Sequence, residues 1–399
     1  MRWLALVGGV LVQVVIGGVY AWSLFGRALQ PELTAVQAAV PFEVAIGMIF
    51  VGASIGGRLQ DRSSPRVVAL LGVLLYAAGI LLASLATSPE RFWVLVVGYG
   101  VIGGFGLGMA YIVPVALLQK WFPRHSAVVT GLAVGGFGFG ATVTSPAAQY
   151  LIGLSPESPA LAFRPLGLAY LVVGALAAAM LVSPPATAAR EGASSDFTPR
   201  EALGTRQWYL LTAILTVAVA AGISLISMMA GAAVDVGGLD AAGAAAAVGV
   251  LALFNGAGRI GWAALAQRVG RLKVLGAILA LEGLALVALP HATGFAFLAL
   301  AAVVYLCYGG AFGTLPSTAG AFFGLTHAGA IYGLMLVGWS LAGVAGPLVS
   351  SALVAGAGGY TVAFTVMGLL ALAGVLLPAV TRPPRRTNLD ADQVPTATP

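Results

Sequence analysis

The chain has 399 residues, of which 60% are hydrophobic and only 8% carry a formal charge. Soluble domains carry charge on about a quarter of their residues, so this composition excludes an ordinary soluble enzyme and points to an integral membrane protein. The net charge is 19 − 13 = +6, but the Lys and Arg residues form no basic segment interleaved with aromatics, which excludes a nucleic-acid partner. The single cysteine, Cys307, lies in an apolar run and rules out an intramolecular disulfide.

A bilayer core takes about twenty apolar residues per crossing. On that rule twelve spans are predicted, near 3–29, 40–60, 66–87, 92–119, 126–153 and 163–182, then 207–232, 241–266, 273–290, 294–321, 328–356 and 360–380. The first is read as a retained helix, because no small-residue cleavage site follows a short apolar core. The expected fold class is therefore an all-α membrane protein of twelve transmembrane helices in two six-helix repeats.

With the N-terminus inside, one set of loops holds Arg2, Arg58, Arg62, Arg66, Lys120, Arg124, Arg190, Arg200, Arg206, Arg268, Arg271, Lys273, Arg382, Arg385 and Arg386. The opposite set holds Arg27, Arg91 and Arg164. Fifteen against three places both termini in the cytoplasm, with the bundle in the cell (inner) membrane. The one long polar connection, 183–206, separates an N-terminal bundle (1–182) from a C-terminal bundle (207–380), and the Pro-, Arg- and Thr-rich tail (381–399) is expected to be disordered.

The two halves echo each other. Gly108, Pro114 and Gly131-Leu132 match Gly310, Pro316 and Gly333-Leu334 at an offset of 202, and Leu59-x-Asp61-Arg62 matches Leu265-x-Gln267-Arg268 at 206. Two such repeats enclosing a midplane site are the architecture of rocking transporters.

The loop after the second span reads Gly57-Arg58-Leu59-Gln60-Asp61-Arg62-Ser63-Ser64-Pro65-Arg66. Its glycine permits close helix approach, and Asp61 can bind a helix N-terminus or a cytoplasmic arginine, so Gly57, Asp61, Arg62 and Arg66 read as a gate. The weaker reading is a charged turn that merely ends the helix. Gln267 replaces the acid in the second copy, which predicts a weaker latch there.

Arg259, in Asn255-Gly256-Ala257-Gly258-Arg259-Ile260-Gly261-Trp262, lies inside the eighth span. It is eight residues before Gln267, roughly 12 Å into the membrane. A guanidinium at that depth faces a watery cavity or an acidic partner, and its planar fork suits a carboxylate. Asn255, one turn earlier on the same face, can hold either the guanidinium or the substrate's second oxygen. Glu282, roughly 13.5 Å deep in the ninth span, stands as a structural ion-pair partner for Arg259 or as a protonated coupling residue.

The runs Gly103-Gly104-Phe105-Gly106-Leu107-Gly108 and Gly135-Gly136-Phe137-Gly138-Phe139-Gly140 neither follow a strand nor precede a Lys-Ser/Thr pair, so they predict close helix packing, not a phosphate loop. His125, His291 and His327 fall at separate helix ends and suggest no metal site. No cofactor and no nucleophile–base constellation is expected, hence no enzyme. Tyr20, Tyr111, Tyr332 and Trp339 are membrane-embedded aromatics, each read as packing or as ligand contact, whose polar tips need partners.

Taken together, the motifs resemble the oxalate/formate antiporter family of the major facilitator superfamily, which is similar to the monocarboxylate transporters. The resemblance covers nearly all of residues 1–380. It rests on Gly17-Gly18-Val19-Tyr20-Ala21-Trp22-Ser23, the Gly57–Arg66 loop, Ala110-Tyr111-Ile112-Val113-Pro114, Lys120-Trp121-Phe122-Pro123, Thr130-Gly131-Leu132-Ala133-Val134 and Asn255–Trp262.

It implies carboxylate transport by alternating access, with Arg259 binding the carboxylate and Tyr111 and Asn255 beside it. The family's oxalate exchanger also uses a lysine in its eleventh helix. This chain has Gly338-Trp339-Ser340 there, and its eleventh span contains no Lys or Arg. One cavity cation favours a singly charged substrate such as lactate, pyruvate or formate. Monocarboxylate transporters often carry an acid one turn before the arginine, where this chain has Asn255, which leaves the coupling ion open. The expected function is a proton-coupled monocarboxylate symporter with a small organic anion, a proton and the lipid bilayer as partners. The alternative is a dicarboxylate:formate exchanger, and lower still stand a drug-efflux pump and a carboxylate sensor.

Overall fold

The structure, a computed structural model, describes residues 1–29, 33–185, 196–356 and 358–384. Within them twelve helices are long and apolar enough to cross a bilayer. They are α1 (Arg2–Gly26), α2 (Gln37–Arg62), α3 (Pro65–Ala83), α4 (Pro89–Trp121), α5 (Pro123–Leu154), α6 (Pro159–Ala179), α7 (Arg206–Asp235), α8 (Ala246–Val269), α9 (Arg271–His291), α10 (Gly294–Phe323), α11 (Ala328–Ala355) and α12 (Gly359–Val380). Helices suit this solvent because they satisfy their own backbone groups where lipid cannot. Leu176, Leu284 and Leu369 lie exposed on the outer surface, as side chains facing lipid tails must.

The long spans are not uniform. In α4 the segment Val96–Gly103 winds as a π-helix. Pro114 interrupts the same span, and amides from two other helices brace it: Gln13 Nε2 donates to Tyr111 O (3.0 Å) and Gln60 Nε2 to Val113 O (3.1 Å). Such outside donors are how membrane helices tolerate proline. Tyr111 is thereby fixed on α4 by a residue of α1.

The repeat read from the sequence has a structural counterpart, since matched glycines occupy matched contacts. Gly108 of α4 lies directly on the Ile49 backbone of α2, while Gly310 of α10 lies on Trp262 of α8. Gly131 of α5 abuts the Arg259 carbonyl of α8, while Gly333 of α11 abuts the Ala53 carbonyl of α2. The last two contacts join the first six helices to the last six. No side chain larger than hydrogen fits at either point, so each glycine sets how closely the halves approach.

Of the connecting segment, residues 183–185 and 196–206 are described, and Arg206 already belongs to α7. Pro199–Leu203 forms a short helix closed by a Thr198–Glu201 capping box. Just before it, the Asp196 carboxylate accepts from the backbone N–H groups of Leu325 (3.0 Å) and Thr326 (2.9 Å) and from the Thr326 hydroxyl (2.6 Å). Phe197 N donates to Phe323 O (2.8 Å). The connection is therefore stitched onto the α10–α11 turn. Arg190, Arg385, Arg386 and the tail beyond residue 384 lie outside the described residues.

Candidate functional site

Arg259 is fully buried at the junction of the two halves. Its own helix supplies the first partner: Nε donates to Asn255 Oδ1 one turn earlier (3.2 Å). The other half supplies the second, the Val134 carbonyl of α5, which accepts from Nη1 (3.3 Å). Two phenyl rings cover the guanidinium, Phe137 of α5 at 5.2 Å and Phe312 of α10 at 4.9 Å from ring centroid to Cζ. Desolvated contacts of this kind contribute about 2 kcal/mol. One edge remains: Nη2 is buried without a hydrogen-bond partner.

Local sequence explains why the arginine fits. Gly131 and Gly313 both meet the Arg259 carbonyl, and a Cβ on Gly138 would stand 3.5 Å from its Nε. The glycine runs in α5 and α10 thus bring three helices together around one charge. Helix packing, the reading expected for the α5 run, is what the structure shows. In addition, its Phe137 is a face of the site, a role not predicted.

The sequence-predicted aromatics gather here. Trp339 packs on Tyr111 (5.4 Å), Phe137 (5.8 Å) and Phe312 (4.7 Å), so rings from α4, α5, α10 and α11 form one cluster. Tyr20 of α1 packs edge-on against Phe137 (5.1 Å), and its hydroxyl bonds that of Tyr308 of α10 across the halves (3.2 Å). The charge of Arg259 reaches Tyr20, Tyr111, Tyr308 and Tyr332. The Tyr111 and Tyr332 hydroxyls lie within reach of each other, and they and Trp339 Nε1 are buried without a well-formed hydrogen bond. Together with Nη2 they form a set of uncommitted hydrogen-bond donors.

Glu282 does not join this set. It is fully buried, both its oxygens lack partners, and it makes no ion pair with Arg259. Equal depth in the membrane suggested that pair, but depth fixes position only along a helix. Phe312 faces Arg259 while Tyr308, one turn away on α10, meets the same point on Gly222 of α7 as the Glu282 carboxyl. The two groups therefore approach α10 at residues one turn apart, and no ion pair joins them.

At the end carrying the basic loops, Asp61 Oδ2 accepts from the backbone N–H of Ala330 in the first turn of α11 (2.9 Å). Its Oδ1 takes Lys120 of α4 (3.0 Å), which also donates to the Thr326 carbonyl (3.3 Å). The cation is thus a lysine, not the expected arginine, and Arg62 and Arg66 are exposed with no bond across the halves. Gly57 lies directly on the Gly329 backbone. The second copy does the mirror-image work with one neutral bond, Gln267 Nε2 to the Arg124 carbonyl at the start of α5 (2.6 Å).

A polytopic bundle of twelve helices in two repeats, latched at one end and, among the described residues, holding one fully buried cation where the halves meet, defines a membrane carrier. The model for the Major Facilitator Superfamily matches residues 3–335 and 238–397, and the chain belongs to that family. It is 26% identical to the uncharacterized MFS-type transporter YhjX of Escherichia coli (strain K12) over 86% of each chain. It is also 26% identical to the oxalate:formate antiporter of Oxalobacter formigenes, over 96% of this chain and 94% of the antiporter. The fold is similar to that of the E. coli fucose:proton symporter FucP, with a TM-score of 0.72 at 19% identity over 94% of this chain and 97% of that one.

Proposed function

We propose that the protein carries small organic monocarboxylates, of the lactate, pyruvate and formate type, together with a proton by alternating access. The observation that supports this most is the Arg259 guanidinium: it is buried between the halves with no carboxylate partner and with Nη2 uncommitted. An anion at that edge restores charge balance in a low-dielectric interior, where an uncompensated charge costs several kcal/mol. Tyr111, Tyr332 and Trp339 offer further donors to its second oxygen or to a 2-oxo or 2-hydroxy group.

In this reading the basic end is cytoplasmic and the bundle sits in the inner membrane. Neutralising Arg259 lets the halves rock, which breaks the Asp61–Ala330 and Gln267–Arg124 bonds and opens that side. The absence of Lys and Arg from α11 favours one substrate charge over two. Exchange of a dicarboxylate for formate is the second reading, favoured by the full-length similarity to the Oxalobacter antiporter.

A thermal-shift screen of purified protein with formate, lactate, pyruvate and oxalate tests the assignment. A carboxylate at a hundred times its Kd stabilises the folded form by about 2.7 kcal/mol, a rise in melting temperature that Arg259→Ala should abolish. An equal rise in the variant, or no rise with any of these anions in the parent protein, contradicts the reading.

A further inference from the structure

Glu282 is an acid in mid-membrane that the carboxylate site leaves unused. It is fully buried and neither oxygen has a hydrogen-bond partner. Its surroundings are specified closely: a Cβ on Gly222 of α7 would stand 2.6 Å from Glu282 Oε1 and 2.7 Å from Tyr308 Cδ2, so this glycine makes the space the carboxyl fills. On α9 the next residue, Gly283, packs on the Gly368 backbone of α12.

The titratable groups around it come from α10. Cys307 lies within electrostatic reach, Tyr308 shares the Gly222 contact, and Tyr305 belongs to the cluster that holds Ala285 and Leu286 of α9, with its hydroxyl unpartnered. On α7 and α12, Asp235 and Tyr360 interact with each other near the ends of those helices, with Tyr360 beside Gly231. Among the described residues no cation bonds it. A carboxyl buried so, with no protein partner and no cation to balance it, is held in its protonated form.

We infer that Glu282 holds the proton that travels with the anion, and that Arg259 and Glu282 enforce the coupling by charge balance. The inference rests on the carboxylate reading. Arg259 and Glu282 both charged sum to zero, and so do Arg259, the anion and a protonated Glu282. The two half-loaded combinations leave a net charge of +1 or −1 in the membrane interior and so rock slowly. Loss of the anion leaves Arg259 uncompensated, which favours release of the proton once water reaches the carboxyl. The O–H bond formed from water on one side is broken to water on the other.

Proteoliposomes with radiolabelled lactate provide the test. The parent protein should accumulate lactate down an imposed inward proton gradient and should exchange it in counterflow without one. Glu282→Gln keeps the shape and neutrality of the protonated acid, so it should retain counterflow while losing gradient-driven accumulation, and Glu282→Asp should recover part of it. Accumulation by the Gln variant at the parent rate overturns the inference. Loss of counterflow along with accumulation marks a structural role and overturns it equally. A parent protein that exchanges lactate but ignores the gradient overturns the coupling alone, and one that moves no lactate by either assay overturns the carboxylate reading beneath it.

Discussion

At the residue scale the protein is organised around a charge that hydrocarbon would reject. Arg259 is held by a side-chain oxygen, a carbonyl and two ring faces, none of which neutralises it. Asn255 is a sensitive point in this arrangement, because it orients Nε without supplying a negative charge. Asn255→Asp should convert that bond into an internal ion pair that competes with the substrate, raising the Kd for lactate at least about 10-fold at neutral pH. Isothermal titration measures this, and unchanged affinity would show that the guanidinium does not meet the anion. The arginine itself was legible in the sequence, since a charge in an apolar run has few explanations. Its ring neighbours were not. Phe137 and Phe312 are two of 17 phenylalanines in a chain of apolar spans, and no one-dimensional pattern marks which of them face each other.

At the element scale, glycines decide where helices touch and polar bonds decide which end is shut. Gly57 meets the Gly329 backbone beside the Asp61–Ala330 bond, so α2 and α11 are joined by contact and by hydrogen bond over the same turn. Gly57→Leu should push these helices apart and raise amide hydrogen exchange across residues 328–335 at least several-fold, leaving α9 and α12 protected. Unchanged exchange would show that the glycine contact is not what closes this end. Asp196→Ala removes three bonds from the α10–α11 turn, and its effect should appear as faster exchange at Leu325 and Thr326. The ends of the spans were legible to within a few residues, because hydrophobic length is a property of the chain itself. The missing Arg259–Glu282 pair shows the limit: sequence spacing gives depth, whereas the rotation of α9 about its axis depends on Gly222 and Gly283 meeting other helices.

At the scale of the whole molecule, the two halves are related by sequence and by contact, and the one fully buried cation among the described residues lies where they meet. The asymmetry lies in the latches, one ionic and one neutral. Asp61→Asn should therefore loosen the basic end more than Gln267→Ala does, seen as greater reactivity of a cysteine introduced at Ala330 toward a water-soluble maleimide; equal reactivity would place the closure elsewhere. The distribution of Lys and Arg predicts that a reporter fused after Arg382 folds and fluoresces in the cytoplasm. The central claim is that Arg259 receives a carboxylate between two moving halves. Its most direct test is lactate counterflow in proteoliposomes containing Arg259→Ala protein that elutes as a single species and keeps its helical content. The account predicts exchange at the level of empty liposomes, with Arg259→Lys restoring only a minor fraction because an ammonium lacks the planar fork. Exchange by the alanine protein at the parent rate would contradict it.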